Sequence, residues 1–227
     1  MTVGARRSDV DPALVAPRLT SWEALSLAVQ GCTVCAELAA CRTHVVPGTF
    51  PEGAQVLLVG EAPGADEDAA GVPFIGRSGR LLDSLLAEAG LSRDRVAVAN
   101  VLKCRPPGNR APRRREVEAC RPWLMRQVEL ADPRLVVTLG GSALAWALGP
   151  GARIGALRGR PLPWDGRWLM ATYHPSAAIR FGPRGAPLAA LREDLRAVAR
   201  LLDGEGADGG TDGPAAGGSA VDGPPDP

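Results

Sequence analysis

The sequence holds one lysine, one tyrosine and two histidines, and only 4% of its residues are aromatic. A lone lysine, Lys103, leaves little material for Schiff-base chemistry. The other 25 of the 26 basic residues are arginine, which fits either a GC-rich genome or guanidinium forks for phosphate. The longest apolar stretches, such as Leu135–Leu139, fall far below the roughly 18 residues of a membrane helix. The opening "MTVGARRSDVDPALVAP" has no apolar core of the signal-peptide kind. The expectation is a cytoplasmic protein with no membrane partner. No internal repeat is apparent, and the loop after the first strand-like run has neither G-x-G-x-x-G nor the Walker G-K-[ST], so a phosphate-cradling glycine loop is not expected there.

What is present suits one domain. The 227 residues are 45% hydrophobic, ample for a sizeable core. The net charge of +1 hides an asymmetry, because residues 203–227 carry six acidic residues and no basic ones, and the remainder stands at +7. That balance permits a nucleic-acid partner without requiring one. The Gly/Pro/Asp-rich tail over 203–227 is expected to be disordered, and residues 1–20 to form a flexible lead-in. The folded part is then 21–202, opened by an N-cap at Thr20–Ser21 and a short helix over Trp22–Gln30.

Strand-like and helix-like segments alternate between these ends. Short β-branched runs at Gln55–Val59, Val96–Ala99, Leu135–Leu139 and Trp168–Thr172 read as strands buried on both faces. Helical patterns follow each, at Ser78–Ala89, Arg113–Leu130, Ser142–Leu148 and Pro187–Leu202. The rhythm predicts an α/β fold, a three-layer α/β/α sandwich around a mostly parallel four-stranded sheet. Ligands of such sheets bind outside the carboxyl ends of the strands. Those ends carry "GEAPG", "NVLKC", "GGS" and "YHPS", so Glu61, Asn100 and His174 are expected on one rim.

Five cysteines in a cytoplasmic chain point to metal binding or catalysis before disulfides. Cys32 and Cys35 form a C-x2-C, while Cys104 and Cys120 lie fifteen residues apart. This is not the two-knuckle spacing of structural zinc, and spacing alone leaves zinc and a [4Fe–4S] cluster equally open. Cys41 reads as a small buried residue.

The segment "VGEAPGADEDAAGVPFIGRSGRLLD" reads as a rigid shaped loop in which Glu61, Asp66, Glu67 and Asp68 would repel nucleotide phosphates. Phe74 within it could plug the loop onto the core. On a rim shared with an amide, a carboxylate and an imidazole, it could also stack on an extruded base. His44 reads as a surface or packing residue. His174 is held extended by Pro175 and could donate a hydrogen bond to an anion developing on a departing base.

Taken together, "GEAPGADEDAAGVPFIGRSGRLL", "NVLKCRPPGNRAPRRREVEACRPWL", "VVTLG", "TYHPSAAIR" and the cysteine spacing resemble the iron–sulfur, family 4 branch of the uracil-DNA glycosylases over residues 21–202. The resemblance implies a [4Fe–4S] cluster on Cys32, Cys35, Cys104 and Cys120. It also implies a bacterial, nucleoid-associated monomer that flips uracil from single- or double-stranded DNA and hydrolyses the N-glycosidic bond to start base excision repair. Carried over by residue, Phe74 stacks on uracil and Asn100 reads its Watson–Crick edge. The backbone of Glu61, Ala62, Pro63 and Gly64 lines the pocket. Glu61 and His174 are catalytic, the first through water and the second at uracil O2. "HPSAAIR" supplies a loop entering the DNA with Ile179 or Arg180 as wedge. From its place at the strand exit, Lys103 reads as a phosphate or structural contact, and Arg105 beside it is placed to meet nearby phosphates.

A related branch traps uracil-DNA covalently through a histidine and carries Gln after the motif glutamate with a basic insertion near the second strand. This chain has Ala62 and no such insertion, which favours ordinary turnover. The alternatives are a uracil-DNA binder that traps its target and an iron–sulfur electron carrier.

Overall fold

A computed structural model of the protein describes residues 11–204. In chain order its elements are α1 (Pro12–Val15), α2 (Trp22–Gln30), α3 (Ala36–Cys41), β1 (Val56–Gly60), α4 (Ala65–Ala70), α5 (Arg77–Glu88), β2 (Val96–Asn100) and α6 (Arg114–Ala131). They continue through β3 (Leu135–Leu139), α7 (Gly141–Leu148), α8 (Ile154–Leu157), β4 (Leu162–Trp164), β5 (Arg167–Thr172), α9 (Pro175–Phe181) and α10 (Ala186–Leu202).

The strands order as β2-β1-β3-β5-β4, parallel throughout except that β4 runs antiparallel to β5. The expected four-stranded sheet therefore has a fifth strand. At three residues with a central proline, β4 is too short for a period-2 pattern, and its proline is tolerable on an edge. Its signal was the turn. Asp165 and Gly166 between β4 and β5 both have positive φ, as a two-residue type I′ hairpin requires.

Alternation within the strands builds two cores. Val56, Leu58, Val96, Val98, Val137 and Met170 face α5 and α10, whose Leu82, Leu85, Leu191 and Leu195 cover them. Leu57, Val59, Ala97, Ala99 and Val136 face α6 and α7 through Leu124, Val128 and Trp146. Each fully buried leucine or valine contributes about 1.5–3 kcal/mol. This is the expected three-layer sandwich.

The lead-in expected over 1–20 is corrected from Asp11 onward. The Asp11 side chain caps α1, and Ala16 is wholly buried in a cluster with Leu25, Val29 and Trp123 of α6. Residues 1–10 and the acidic tail from 205 onward lie outside the described residues. Among the described residues no helix is long and apolar enough to cross a membrane.

Candidate active site

The sheet changes direction of winding at β1, with β2 on one side and β3 on the other, and the carboxyl ends of the strands open there into a cleft of about 430 Å³. Glu61, Ala62, Pro63, Gly64, Phe74, Asn100 and His174 all line it. The rim expected from strand exits is thus one cavity. Val101 and Leu102 donate their N–H groups to the carbonyls of Gly60 and Glu61, so the two exit loops run side by side.

Gly60 makes the floor. A Cβ there would stand 2.4 Å from Oδ1 of Asn100 and 2.5 Å from Cζ of Phe74. Only a residue without a side chain lets the amide and the ring meet. Phe74 is 5% exposed and packs into the core beneath α5, so it both plugs the loop and walls the cleft. Its ring centroid lies 5.7 Å from that of His174 at a tilt of 38°.

Phe74 holds this place at a φ of 54°, a left-handed conformation unfavourable by roughly 1–2 kcal/mol for a residue with a Cβ. Glu67 offsets that cost. Its carboxylate accepts from the N–H of Gly64 at 3.0 Å, Ile75 at 3.1 Å and Gly76 at 2.9 Å, stapling both ends of the segment. Gly79 completes the fit, because a Cβ at that point of α5 would collide with the carbonyl of Phe74. The expected rigid loop therefore contains α4, and two of its four acids are fasteners. Asp68, 3% exposed, accepts from the N–H groups of Thr43 and His44, and His44 bonds the carbonyl of Asp68 through Nδ1.

Glu61 is oriented from β3, as Ser142 of α7 donates its hydroxyl to Oε2 of Glu61 at 2.5 Å. His174 follows β5 with φ −74° and ψ 141°, the extended shape its proline neighbour demands, and caps α9. Its Nδ1 accepts from the backbone N–H of Ser176 at 3.1 Å and lies 2.8 Å from that residue's hydroxyl. A backbone N–H can only donate, so in the neutral ring the proton sits on Nε2. Burial pushes the imidazolium down to about 4, and the ring is neutral at physiological pH. The strand end itself is tied to α10, since Thr172 donates to Asp194 at 2.5 Å and Asp194 pairs with Arg158 at 2.7 Å.

Below the cleft lies a second cavity, lined by Cys32, Cys35, Cys104 and Cys120 with Leu38, Arg42, Leu102, Lys103 and Trp123. The four thiols come from the end of α2, the start of α3, the β2 exit loop and α6, brought together by apolar packing around Leu38, Leu102 and Trp123. Burial, reinforced by the neighbouring cysteines, pushes Cys35 up to about 11 and Cys120 up to about 12. Burial raises Cys104 as well, against the Arg42 guanidinium that donates to its sulfur at 3.0 Å. Among the described residues no three ligand-type side chains are grouped closely enough for a single metal ion. The indole N–H of Trp123 is buried without a partner. Cys41 is exposed, contrary to its expected burial, and its sulfur lies 3.7 Å from the carbonyl of Arg105.

Two expectations are corrected, the outward direction of Lys103 and the loop form of "HPSAAIR". Lys103 is 1% exposed, with its ammonium on the Asn100 carbonyl at 2.7 Å and on Oε1 of Gln127 at 2.6 Å, so it cannot reach a phosphate. "HPSAAIR" is not a loop but the helix α9, in which Ile179 is half-buried and Arg180 exposed, with neither lining the cleft. Arg180 instead lies over the ring of Phe181, which is 61% exposed. Arg105 donates to Asn109 at 2.7 Å, and Arg110 lines the cleft while bound to both carboxylate oxygens of Glu116. The supporting residues Gly60, Glu67, Ser142 and Ser176 escaped the sequence reading. Ser142 and Ser176 had a signal as hydroxyls directly after strand exits, and Glu67 only as a charge.

Residues 47–196 match the model of the Uracil DNA glycosylase superfamily. The type-4 uracil-DNA glycosylase of Thermotoga maritima is 42% identical over 70% of this chain and 83% of its own length. That of Sulfurisphaera tokodaii is 36% identical over 81% of this chain and 86% of its own. A type-5 uracil-DNA glycosylase of Mycobacterium leprae is 32% identical over 70% and 78%. The chain belongs to the uracil-DNA glycosylase superfamily, and its resemblance within it is to the type-4 branch.

Proposed function

We propose that the protein removes uracil from DNA by hydrolysing its N-glycosidic bond, leaving the abasic site that starts base excision repair. The observation that carries this reading is that Phe74, Asn100, Glu61 and a neutral, Nε2-protonated His174 line one cleft. The names of the type-4 relatives support it.

An extruded base stacks on Phe74. The Asn100 amide donates to O4 and accepts from N3–H, a pairing that cytosine's amine and bare N3 reverse. As the C1′–N1 bond breaks, its electron pair moves into the base and negative charge grows at O2. A neutral imidazole donating from Nε2 stabilises that charge without surrendering a proton. Glu61, steadied by Ser142, directs a water at C1′ and accepts its proton. The uracil anion takes up a proton equivalent to the one Glu61 passes to solvent, and the products are free uracil and the hydroxylated sugar.

Cys32, Cys35, Cys104 and Cys120 are the residues to hold a [4Fe–4S] cluster. The four thiols surround one cavity, and the unpartnered Trp123 N–H and the Arg42 guanidinium suit sulfur acceptors. When bound, the group supplies thiolate–iron bonds that cross-link α2, α3, the β2 exit loop and α6. The partner is uracil-containing DNA, single- or double-stranded, met by a monomer whose residues 1–202 carry a charge of +7.

The test is incubation with oligonucleotides bearing one uracil, one cytosine or one thymine at the same site, followed by alkali. Strand breakage at uracil alone is expected. Intact uracil-containing strands would overturn the reading.

A further inference from the structure

The only lysine of the chain is spent in the interior. Burying an ammonium is costly unless it is paired and hydrogen-bonded. Both partners of Lys103 Nζ, the Asn100 carbonyl at 2.7 Å and Oε1 of Gln127 at 2.6 Å, are neutral oxygens. Gln127 is itself wholly buried and spends its Nε2 on the carbonyl of Pro47 at 2.8 Å. Neither bond supplies negative charge. What stands near the ammonium is sulfur, for Lys103 lines the cavity around which Cys32, Cys35, Cys104 and Cys120 are gathered. The backbone of Lys103 is held as well, its carbonyl accepting from the N–H of Val46 at 2.8 Å.

A cation buried among neutral oxygens makes physical sense when the thiols beside it are thiolates. They become so when iron binds, because a metal displaces their protons. The same cation grips the carbonyl of the residue whose side chain lines the base pocket. We propose that Lys103 is a positioning residue: its ammonium is the counter-charge of the filled cysteine cavity and, through the Asn100 carbonyl, sets the height of the base-reading amide. The positioning half rests on the glycosylase reading of the cleft.

The experiment compares the iron-loaded wild type with Lys103→Met, which keeps the length of the side chain and removes the charge. Three quantities are read: the reduction potential of the cluster, the single-turnover rate of uracil release at saturating protein, and the Kd with its salt dependence for an oligonucleotide carrying uncleavable 2′-fluorodeoxyuridine. Loss of a cation beside the thiolates moves the potential to more negative values. Loss of the strut lowers the saturated rate by about 10–100-fold, the usual effect of removing a residue that supports a metal site. Kd and its salt slope stay unchanged.

An unmoved potential or an unchanged saturated rate overturns the proposal. So does weaker binding with a flatter salt dependence, the mark of a lost phosphate contact. Should Lys103→Met not fold or not hold iron, Gln127→Leu is read instead. It leaves the charge and frees the ammonium from α6, so the saturated rate falls while the potential holds, and an unchanged rate again overturns the role. A wild type that releases no uracil overturns the glycosylase reading itself, and is told apart because the failure is then not confined to the variant.

Discussion

The backbone N–H of Ser176 points at Nδ1 of His174 across 3.1 Å, and this one contact decides which imidazole nitrogen carries the proton. With Nδ1 committed as acceptor, the free nitrogen of the neutral ring is a donor. Burial keeps the ring neutral down to about pH 4. The sign is that of a buried base: its charged form is disfavoured, so the ring is neutral above about 4 and takes a proton only below it.

Nitrogen NMR of the iron-loaded protein should therefore report the Nε2–H tautomer at pH 7, with His174 showing no titration between pH 5.5 and 8 (roughly the range in which an unperturbed histidine titrates). Replacing His174 by Ala should lower the single-turnover rate about 10²–10³-fold, the effect of losing one such donor, while largely sparing DNA affinity. A ring that titrates near neutrality would contradict the assignment.

Gly60→Ala tests the floor of the cleft. The added methyl would meet the Asn100 amide and the Phe74 ring at 2.4 and 2.5 Å, so one of them must move. Overpacking of this kind is unfavourable by about 1–3 kcal/mol, and a lowered Tm is expected together with a loss of uracil release. Unimpaired release would show that amide and ring are not held by this contact.

Glu67→Ala removes the acceptor of three backbone N–H groups. A buried group left unpaired costs about 1–3 kcal/mol, and of the three donors Gly76 is the buried one, beside the left-handed backbone of Phe74. Denaturant unfolding should show a loss of about that size, with hydrogen exchange rising at Ile75 and Gly76. A variant as stable as the wild type would mean that the staple is not needed.

Much of this was legible in the sequence because it follows periodicity. The four buried strands come from short continuous β-branched runs and the helices after them from 3.6-residue patterns, and strand exits then place Glu61, Asn100 and His174 on one cleft. What escaped has no periodicity. The strand β4 is three residues with a proline, and the turn Asp165–Gly166 was its only sign. Glu67 was legible as a charge but not as an acceptor, since its donors lie up to nine residues away. For Lys103 the sequence left a phosphate or a structural contact open, and the structure gives the structural one. The burial of Lys103 is a tertiary fact, set by α6 passing over the β2 exit with Gln127 in place to receive it.

Ser142→Ala removes the hydroxyl from Glu61 and leaves the carboxylate in place. A hydrogen bond to a charged group contributes about 1.5–3 kcal/mol, so the saturated excision rate should fall by about 10–150-fold with little change in Kd. A fall in affinity at constant rate would place Ser142 on the DNA and not behind the catalytic carboxylate.

The most direct test counts product against protein. Free uracil released from an oligonucleotide with one uracil should exceed the protein present many times over, and Asn100→Ala in the same assay should release far less. Release that stops at one uracil per protein, or none at all, would contradict catalytic excision, and wild-type release from Asn100→Ala would contradict the base-reading role on which the account turns.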